Sequence, residues 1–459
     1  MSGAPRAAAV AEVCEWTSNQ LKLTGRGLDL TSADLTGADL TGLNLRKATL
    51  PRAILHSARC DGTNLSEANL SCTGMEKVSF KGAILTGAFL HASAAQVCDF
   101  TAADLSRVVD ATGTLFHGCN FTGVVFDRGT LAGATFYQCD LRGSSWHASA
   151  LQGSTFNECL LDGASFDTAN LEQVTFSKCH LDEVSFVRAT GRGMSIQRPT
   201  GASGVFLDGA RLPGLRLVDV RGIGMTAADA DLRGVDLTDC HLLQAAFPRA
   251  DLSGGRLVRC ELTGIDLSEA NLTGTTMTYT TAGGADLRDA LAENLVIQEC
   301  SLRDAVLEGI KARGLVVRDS DLSKAKMTGA YLYRSMFTGD PPAGMSLRGA
   351  NLEGATLVQA YLAADLSGAC LRGVHASYVR LNQSSLRGAD LHGIAIFDAS
   401  LVKTEFTHAQ LSTLRPPFFA DRCEGLADAL EAAGDTSAVE YMERLSRALR
   451  TEVRSSTLA

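Results

Sequence analysis

Large apolar residues recur at every fifth position along almost the whole chain. The stretch LDLTSADLTGADLTGLNLRKATL sets Leu30, Leu35, Leu40, Leu45 and Leu50 five apart. The frame runs from Leu30 to Leu115, restarts one residue late from Phe121 to Phe206, slips again for Leu212 to Leu362, and loses one residue to run from Leu366 to Leu411. Of its 77 centres, 65 are Leu, Phe, Met, Ile, Val or Trp. A helix would rotate successive centres by roughly 140°, and a flat strand would flip them between faces, so neither element fits a period of five. The chain therefore bends between centres, and four five-residue edges meeting at right angles close a coil of twenty residues. An independent period of twenty agrees: Cys119, Cys139, Cys159 and Cys179 are spaced by it, as are Cys240 and Cys260, with Cys300 two coils further on. Phe126, Phe136, Trp146, Phe156, Phe166, Phe176 and Phe186 alternate with Leu centres, which predicts rings stacked on two opposite walls and Leu on the other two.

The residue two before each centre is small (Ala33, Ala38, Ala48, Ala68, Cys139, Ala164, Ala270, Ala350), as a narrow tube requires when residues two apart share a face. Backbone groups along the tube axis would pair with the coils above and below. The pattern predicts an all-β solenoid, a quadrilateral parallel β-helix of about 19 coils over residues 28 to 411. At about 4.8 Å per coil the array would be about 90 Å long, with open ends that need cover.

Residues 1–27 predict a helical N-terminal cap, with Val10, Val13, Trp16 or Leu21 available to cover the first coil. The repeat is expected over 28–189 and 230–415, with an irregular break or joint at 190–229, where centres fall on Gly191, Gly201, Gly222 and Ala227. TGDPPAGM, from Thr338 to Met345, puts Pro341 and Pro342 in one edge and is expected to project or bulge. Residues 416–459 carry apolar positions at helical spacing. Leu426, Leu430, Val439, Met442, Leu445 and Leu449 would close the last coil or pair two copies of the chain.

Segments such as ADLTG, ANLSC, ADLSG, ANLTG, ANLEG and ADLHG resemble the A(D/N)LXX unit of the pentapeptide repeat family. The resemblance implies a right-handed quadrilateral β-helix. Known members include DNA mimics that bind type II topoisomerases, dimerise through their C-terminal ends and confer quinolone resistance. Others are bacterial effectors or accessory proteins of secretion systems, and the FxxCDLxG style of residues 121–186 looks like arrays found beside such systems.

Charge limits these options. With 42 Lys+Arg against 51 Asp+Glu the net charge is −9, and no stretch has the basic surplus that direct nucleic-acid binding needs. A duplex mimic about 90 Å long would need roughly 50 charges at one per about 1.7 Å. The array offers 41 acids offset by 34 basic residues. The outward acids Asp231, Asp236, Asp251, Asp266 and Asp286 are the candidate partner contacts. No run is apolar enough for a membrane span, no basic-then-apolar leader opens the chain, and 13 Cys point to reduced thiols in a cytoplasm.

Catalytic, cofactor and metal sites are not expected. Gly222 to Ala227 fits GxGxxA, but a dinucleotide fingerprint needs a strand before it and a helix after, and ADADLRGVDL follows instead. The Cys column holds no CxxC pair, and His180 faces away from Cys179. The sequence therefore predicts a non-enzymatic scaffold that binds a partner protein through its outward walls and loops. The alternatives are a dimeric, topoisomerase-binding DNA mimic giving antibiotic tolerance, and a secretion-system effector or accessory protein.

Overall fold

A computed structural model of the chain describes residues 27–339, 344–397, 399–411, 418–419, 424–434, 438–440 and 443. The chain divides into two compact units, Met1–Asp236 and Leu237–Ala459. Each is a parallel β-solenoid with four edges to the coil. In the first unit Asp29, Asp34, Asp39 and Asn44 start four columns, each bridged to the residue twenty further on: Thr49, Ile54, Arg59 and Asn64. The longest ladder of that unit pairs Gly74–Glu76 with Ala94–Gln96, then Leu115–His117, Thr135–Tyr137, Thr155–Asn157, Thr175–Ser177, Ser195–Gln197 and Arg216–Val218. The second unit repeats the scheme, with Arg256–Val258 followed by Thr276–Thr278 and Val296–Gln298.

The segment Asp140–Ser144 shows why five residues suffice for an edge and a corner. Asp140 donates its N–H to Cys119 O in the coil before, Leu141 to Leu160 O in the coil after, and Gly143 to Asp162 O. Ser144 closes the corner on Leu141 O at 3.1 Å. One donor is left, the Arg142 N–H, and Asp140 Oδ1 accepts it at 3.2 Å. Asp or Asn at this position is thus a structural acceptor. The same bond recurs at Asp99 with Thr101, Asn170 with Glu172 and Asp365 with Ser367. Where the position holds Thr135 or Thr155, the edge lengthens to a three-residue strand whose ladder can satisfy that donor. The fourth residue of most edges takes a left-handed backbone, at φ 63° for Gly143 and at 60° and 52° even for Lys47 and Lys178.

The core bears out the twofold stacking of rings. Phe116, Phe136, Phe156 and Phe176 stack at centroid spacings of 4.9, 4.8 and 4.9 Å. On the opposite wall Phe126, Trp146, Phe166 and Phe186 stack at 3.9, 5.4 and 5.4 Å. The stacks meet edge to face, at 89° between Phe136 and Trp146, an arrangement ring quadrupoles favour. The slot two before each centre also holds polar residues when they can reach a carbonyl: Ser154 Oγ donates to Leu131 O at 2.6 Å, and Cys159 Sγ to Phe136 O at 3.4 Å.

The ladder corrects the frame at two places. The extra residue before Phe116 enters at Val109, so Asp110 points outward, Ala111 is the buried centre and Leu115 is 45% exposed. The later slip falls between Ile196 and Ala202, which leaves Gly201 and Phe206 on the outer face, with Ala202 and Leu207 inside. Residues 190–229 keep the coil in place of the irregular break that their small centres suggest: Thr190 bridges Arg211, Phe206 bridges Thr226 and Arg211 bridges Asp231. Here a centre is held by Gly222, whose Cβ, if present, would lie 2.1 Å from Ala202 O of the coil before. At TGDPPAGM the pairing steps 25 residues instead of twenty, from Asp321 to Ser346 and from Tyr331 to Thr356, so this segment adds no edge of its own. Its residues 340–343 lie outside the described residues, as do the N-terminal positions Val10, Val13, Trp16 and Leu21.

Near the end of the second unit a short helix, Leu426–Ala432, buries Leu426 and Leu430. Val439 is half-buried, and Met442, Leu445 and Leu449 lie outside the described residues. No helix among the described residues is long and apolar enough to cross a membrane.

Candidate functional site

Outward positions on each edge are the first, third and fourth residues, so the surface is a set of columns one coil apart. The five candidate acids occupy such positions, and most are engaged within their own wall. Asp231 accepts both Arg233 Nε and Nη2 at 2.7 Å, and Asp286 is clamped the same way by Arg288. These guanidiniums, with the backbone N–H two residues on, hold the Asp231 and Asp286 carboxyls below the usual carboxylate range. Asp251 accepts Ser253 N–H at 2.9 Å and Asn271 Nδ2 at 3.1 Å, and Asp266 accepts Ser268 N–H at 2.9 Å. Asp236 lies 3.6 Å from Arg216 Nε. Asp266 and Asp286 share a column, and Asp251 stands in another above Asn271.

No wall of the first unit sorts its acids among the described residues. One column reads Asp39, Arg59, Ser79, Asp99, Asn120, Asp140, Leu160, His180 and Gly201. In it His180 Nδ1 bonds Asp162, and its Nε2 lies 3.7 Å from Asp182 Oδ2. This cluster brings three ligand-type side chains within 4.8 Å of one another. Its carboxylates also serve the backbone: Asp162 Oδ1 accepts Asp182 N–H at 3.3 Å, and Asp182 Oδ1 accepts Ser203 N–H at 2.9 Å. Sequence spacing did not find it, because the two acids approach the ring from different coils.

The same unit carries an open groove of about 590 Å³ on its longest ladder. Two rows line it. Leu115, Thr135, Thr155 and Thr175 form one, and His117, Tyr137, Asn157 and Ser177 the other. Thr155 and Thr135 hydroxyls bond each other at 3.3 Å, and the His117 and Tyr137 rings sit 5.1 Å apart. Beside the second row the turn residues Gln138, Glu158 and Lys178 form a bonded ridge, with Gln138 Nε2 at 3.0 Å and Lys178 Nζ at 3.2 Å from the Glu158 carboxylate. The groove thus offers apolar surface, hydroxyls and an amide, with no carboxylate in either row. Its backbone is pinned from below by the stacked Phe136, Phe156 and Phe176.

Comparison with known proteins follows the same lines. A family model described as pentapeptide repeats (8 copies) matches residues 33–71, 149–192, 228–264, 256–291, 300–339, 343–375 and 364–401. A second, described as pentapeptide repeat region, matches 88–166. Among solved structures the chain is similar to full-length QnrB1, a plasmid-mediated fluoroquinolone resistance protein, at 16% identity over 49% of this chain and 99% of that one, with a TM-score of 0.21. It is also similar to HetL, involved in heterocyst differentiation regulation in Nostoc sp. strain PCC 7120, at 19% identity over 67% and 94% of the two chains, with a TM-score of 0.12. Rfr23 of the cyanobacterium Cyanothece 51142 shares 22% identity over 31% and 87%, with a TM-score of 0.12. No curated protein matches by sequence.

Proposed function

Since the chain belongs to the pentapeptide repeat family, we propose that it is a non-enzymatic scaffold that holds an extended segment of a partner protein along the groove of its first unit. The observation that carries this reading is the pairing of a carboxylate-free, amphipathic groove with a rigid floor. A wall fixed by stacked rings loses little conformational entropy when a ligand docks, which favours binding. Thr and Tyr in registered rows supply hydroxyls for a peptide backbone, and Leu115 and Tyr137 supply apolar contact.

Duplex mimicry by a topoisomerase-binding dimer is the weaker reading. It needs continuous columns of free carboxylate, whereas Asp231 and Asp286 are neutralised by Arg and the acids of the first unit alternate with neutral and basic residues. The test is affinity capture from the native host with mass spectrometry, comparing the wild-type chain with Thr155→Lys and Tyr137→Ala. We expect a stable protein partner that both substitutions release, and no effect of the chain on gyrase supercoiling. Capture of no partner, or of one indifferent to both substitutions, rejects the groove.

A further inference from the structure

We infer that a wall of the second unit binds an acidic segment of a partner protein. Four of its edges stack in register: Lys311–Arg313 pairs with Tyr331–Tyr333, Tyr331 with Thr356, and Thr356–Val358 with His375–Ser377. The corresponding pentapeptides KARGL, YLYRS, TLVQA and HASYV contain no Asp or Glu, in a chain whose net charge is −9. Their outward side chains include Lys311, Arg313 and Arg334 together with Tyr331, Tyr333 and Tyr378. Three of the seven Tyr of the chain stand on these edges, and Tyr331 and Tyr378 are 45% and 54% exposed.

The two guanidiniums are held in place without an ion pair among the described residues, with Glu293 one coil below Arg313 in its column. Arg313 and Arg334 lie over the Tyr333 ring at 5.7 and 5.2 Å, and Tyr331 stacks beside it at 6.4 Å and 15°. Arg334 Nε donates to Gln359 Oε1 at 2.7 Å, which fixes the plane of its guanidinium. Among the described residues no carboxylate pairs with Lys311, Arg313 or Arg334, in contrast to Arg233 and Arg288, which are spent on the Asp two residues before them. Guanidiniums oriented by aromatic stacking keep N–H edges for bidentate carboxylate binding, and Tyr and Arg are the residues that dominate protein interfaces. Charge complementarity therefore selects an acidic occupant. A protein segment fits better than a nucleic acid, because three cations on one wall are a short run for a phosphate backbone to follow. The net charge of −9 also opposes a polyanion. The occupant is a segment carrying carboxylates beside an aromatic or aliphatic residue that packs on Tyr331.

This inference rests on the reading of the walls as protein-binding surfaces, but on residues apart from the groove. Its test is fluorescence anisotropy of the full chain with a labelled peptide of alternating Glu and Leu carrying one Tyr, beside the same peptide with Gln for Glu and an oligothymidylate of similar length. The Glu peptide should bind about tenfold more tightly than the Gln peptide, more weakly as salt rises, and about tenfold more weakly to Arg313→Ala/Arg334→Ala. Arg303→Ala/Arg348→Ala, on another wall, should leave binding unchanged, and circular dichroism should show both variants folded. Equal binding of Glu and Gln peptides, indifference to the Arg313/Arg334 pair, no binding of the Glu peptide, or tighter binding of the oligothymidylate would overturn the inference. Loss of a captured partner in Thr155→Lys would still stand in that event, so the two readings fail separately.

Discussion

Trp146 donates its indole N–H to Ser144 Oγ at 2.8 Å inside a fully buried tube, and the Ser144 hydroxyl in turn donates to Leu141 O at 2.7 Å. The slot two before a centre usually holds Ala, so Ser at 144 answers the one ring of its stack that carries a donor. Ser144→Ala should therefore cost about 1–3 kcal/mol, the price of a buried unpaired N–H. In a Trp146→Phe background the same change should cost less than about 1 kcal/mol. Guanidinium unfolding of the wild type and the three variants measures the coupling, and equal costs in both backgrounds would reject it.

Asp140 is expected to matter as a backbone acceptor more than as a charge. Asp140→Ala strands the Arg142 N–H and should destabilise by about 0.5–1.5 kcal/mol, whereas Asp140→Asn keeps Oδ1 and should lose less. Thermal unfolding of both variants decides, and a loss for Asn as large as that for Ala would make the ion pair the dominant contribution.

The acid limb of stability follows from the same bonds. Arg142, Arg233 and Arg288 hold the Asp140, Asp231 and Asp286 carboxyls below their ordinary range. A depressed folded pKa adds stability that is complete above the unfolded value of about 3.9 and is lost as pH falls through the folded values. The melting temperature should be flat from about pH 8 to 5 and drop below about pH 4. A scan that falls between about pH 8 and 6 instead would assign the dependence to histidine.

Thiol chemistry should separate by depth. Burial pushes the Cys60 thiol up to about 12 and the Cys300 thiol to about 11, while Cys72 is exposed. Iodoacetamide at neutral pH should label Cys72 in the folded protein and leave Cys60 and Cys300 unmodified until denaturant is added, as read by peptide mass spectrometry. Early labelling of Cys60 would mean the tube opens locally.

Gly222 offers a counterintuitive test. Gly222→Leu restores the residue that the repeat favours at a centre, yet the new Cβ would meet Ala202 O of the preceding coil at 2.1 Å. We expect a loss of about 1–3 kcal/mol or more, from overpacking against backbone that cannot turn aside. A more stable Gly222→Leu would show that this wall relaxes outward freely.

The coil, its period, the ring stacks and the small-residue slot were all legible in the residues, because each is a repetition and repetition survives without knowledge of contacts. Leu115 and Phe206 fall on the five-residue frame yet are outward, because each stands directly before another apolar residue, Phe116 and Leu207. Periodicity cannot say which of two adjacent apolar residues follows the inserted one. Spacing sets the candidate acids outward as partner contacts, and nothing in it reveals the backbone N–H or guanidinium that occupies them. The Tyr and Arg wall was hidden for a similar reason: its edges lie 20, 25 and 19 residues apart, and only the ladder shows that they are neighbours.

By itself the sequence determined that this chain winds into four-edged coils around a filled apolar tube, since a large residue at every fifth position has no other way to reach a common interior. Tertiary structure alone decided what the outside presents. Which side chains stand side by side depends on where single residues are gained or lost between coils, and which charges stay available depends on hydrogen bonds that cross from one coil to the next.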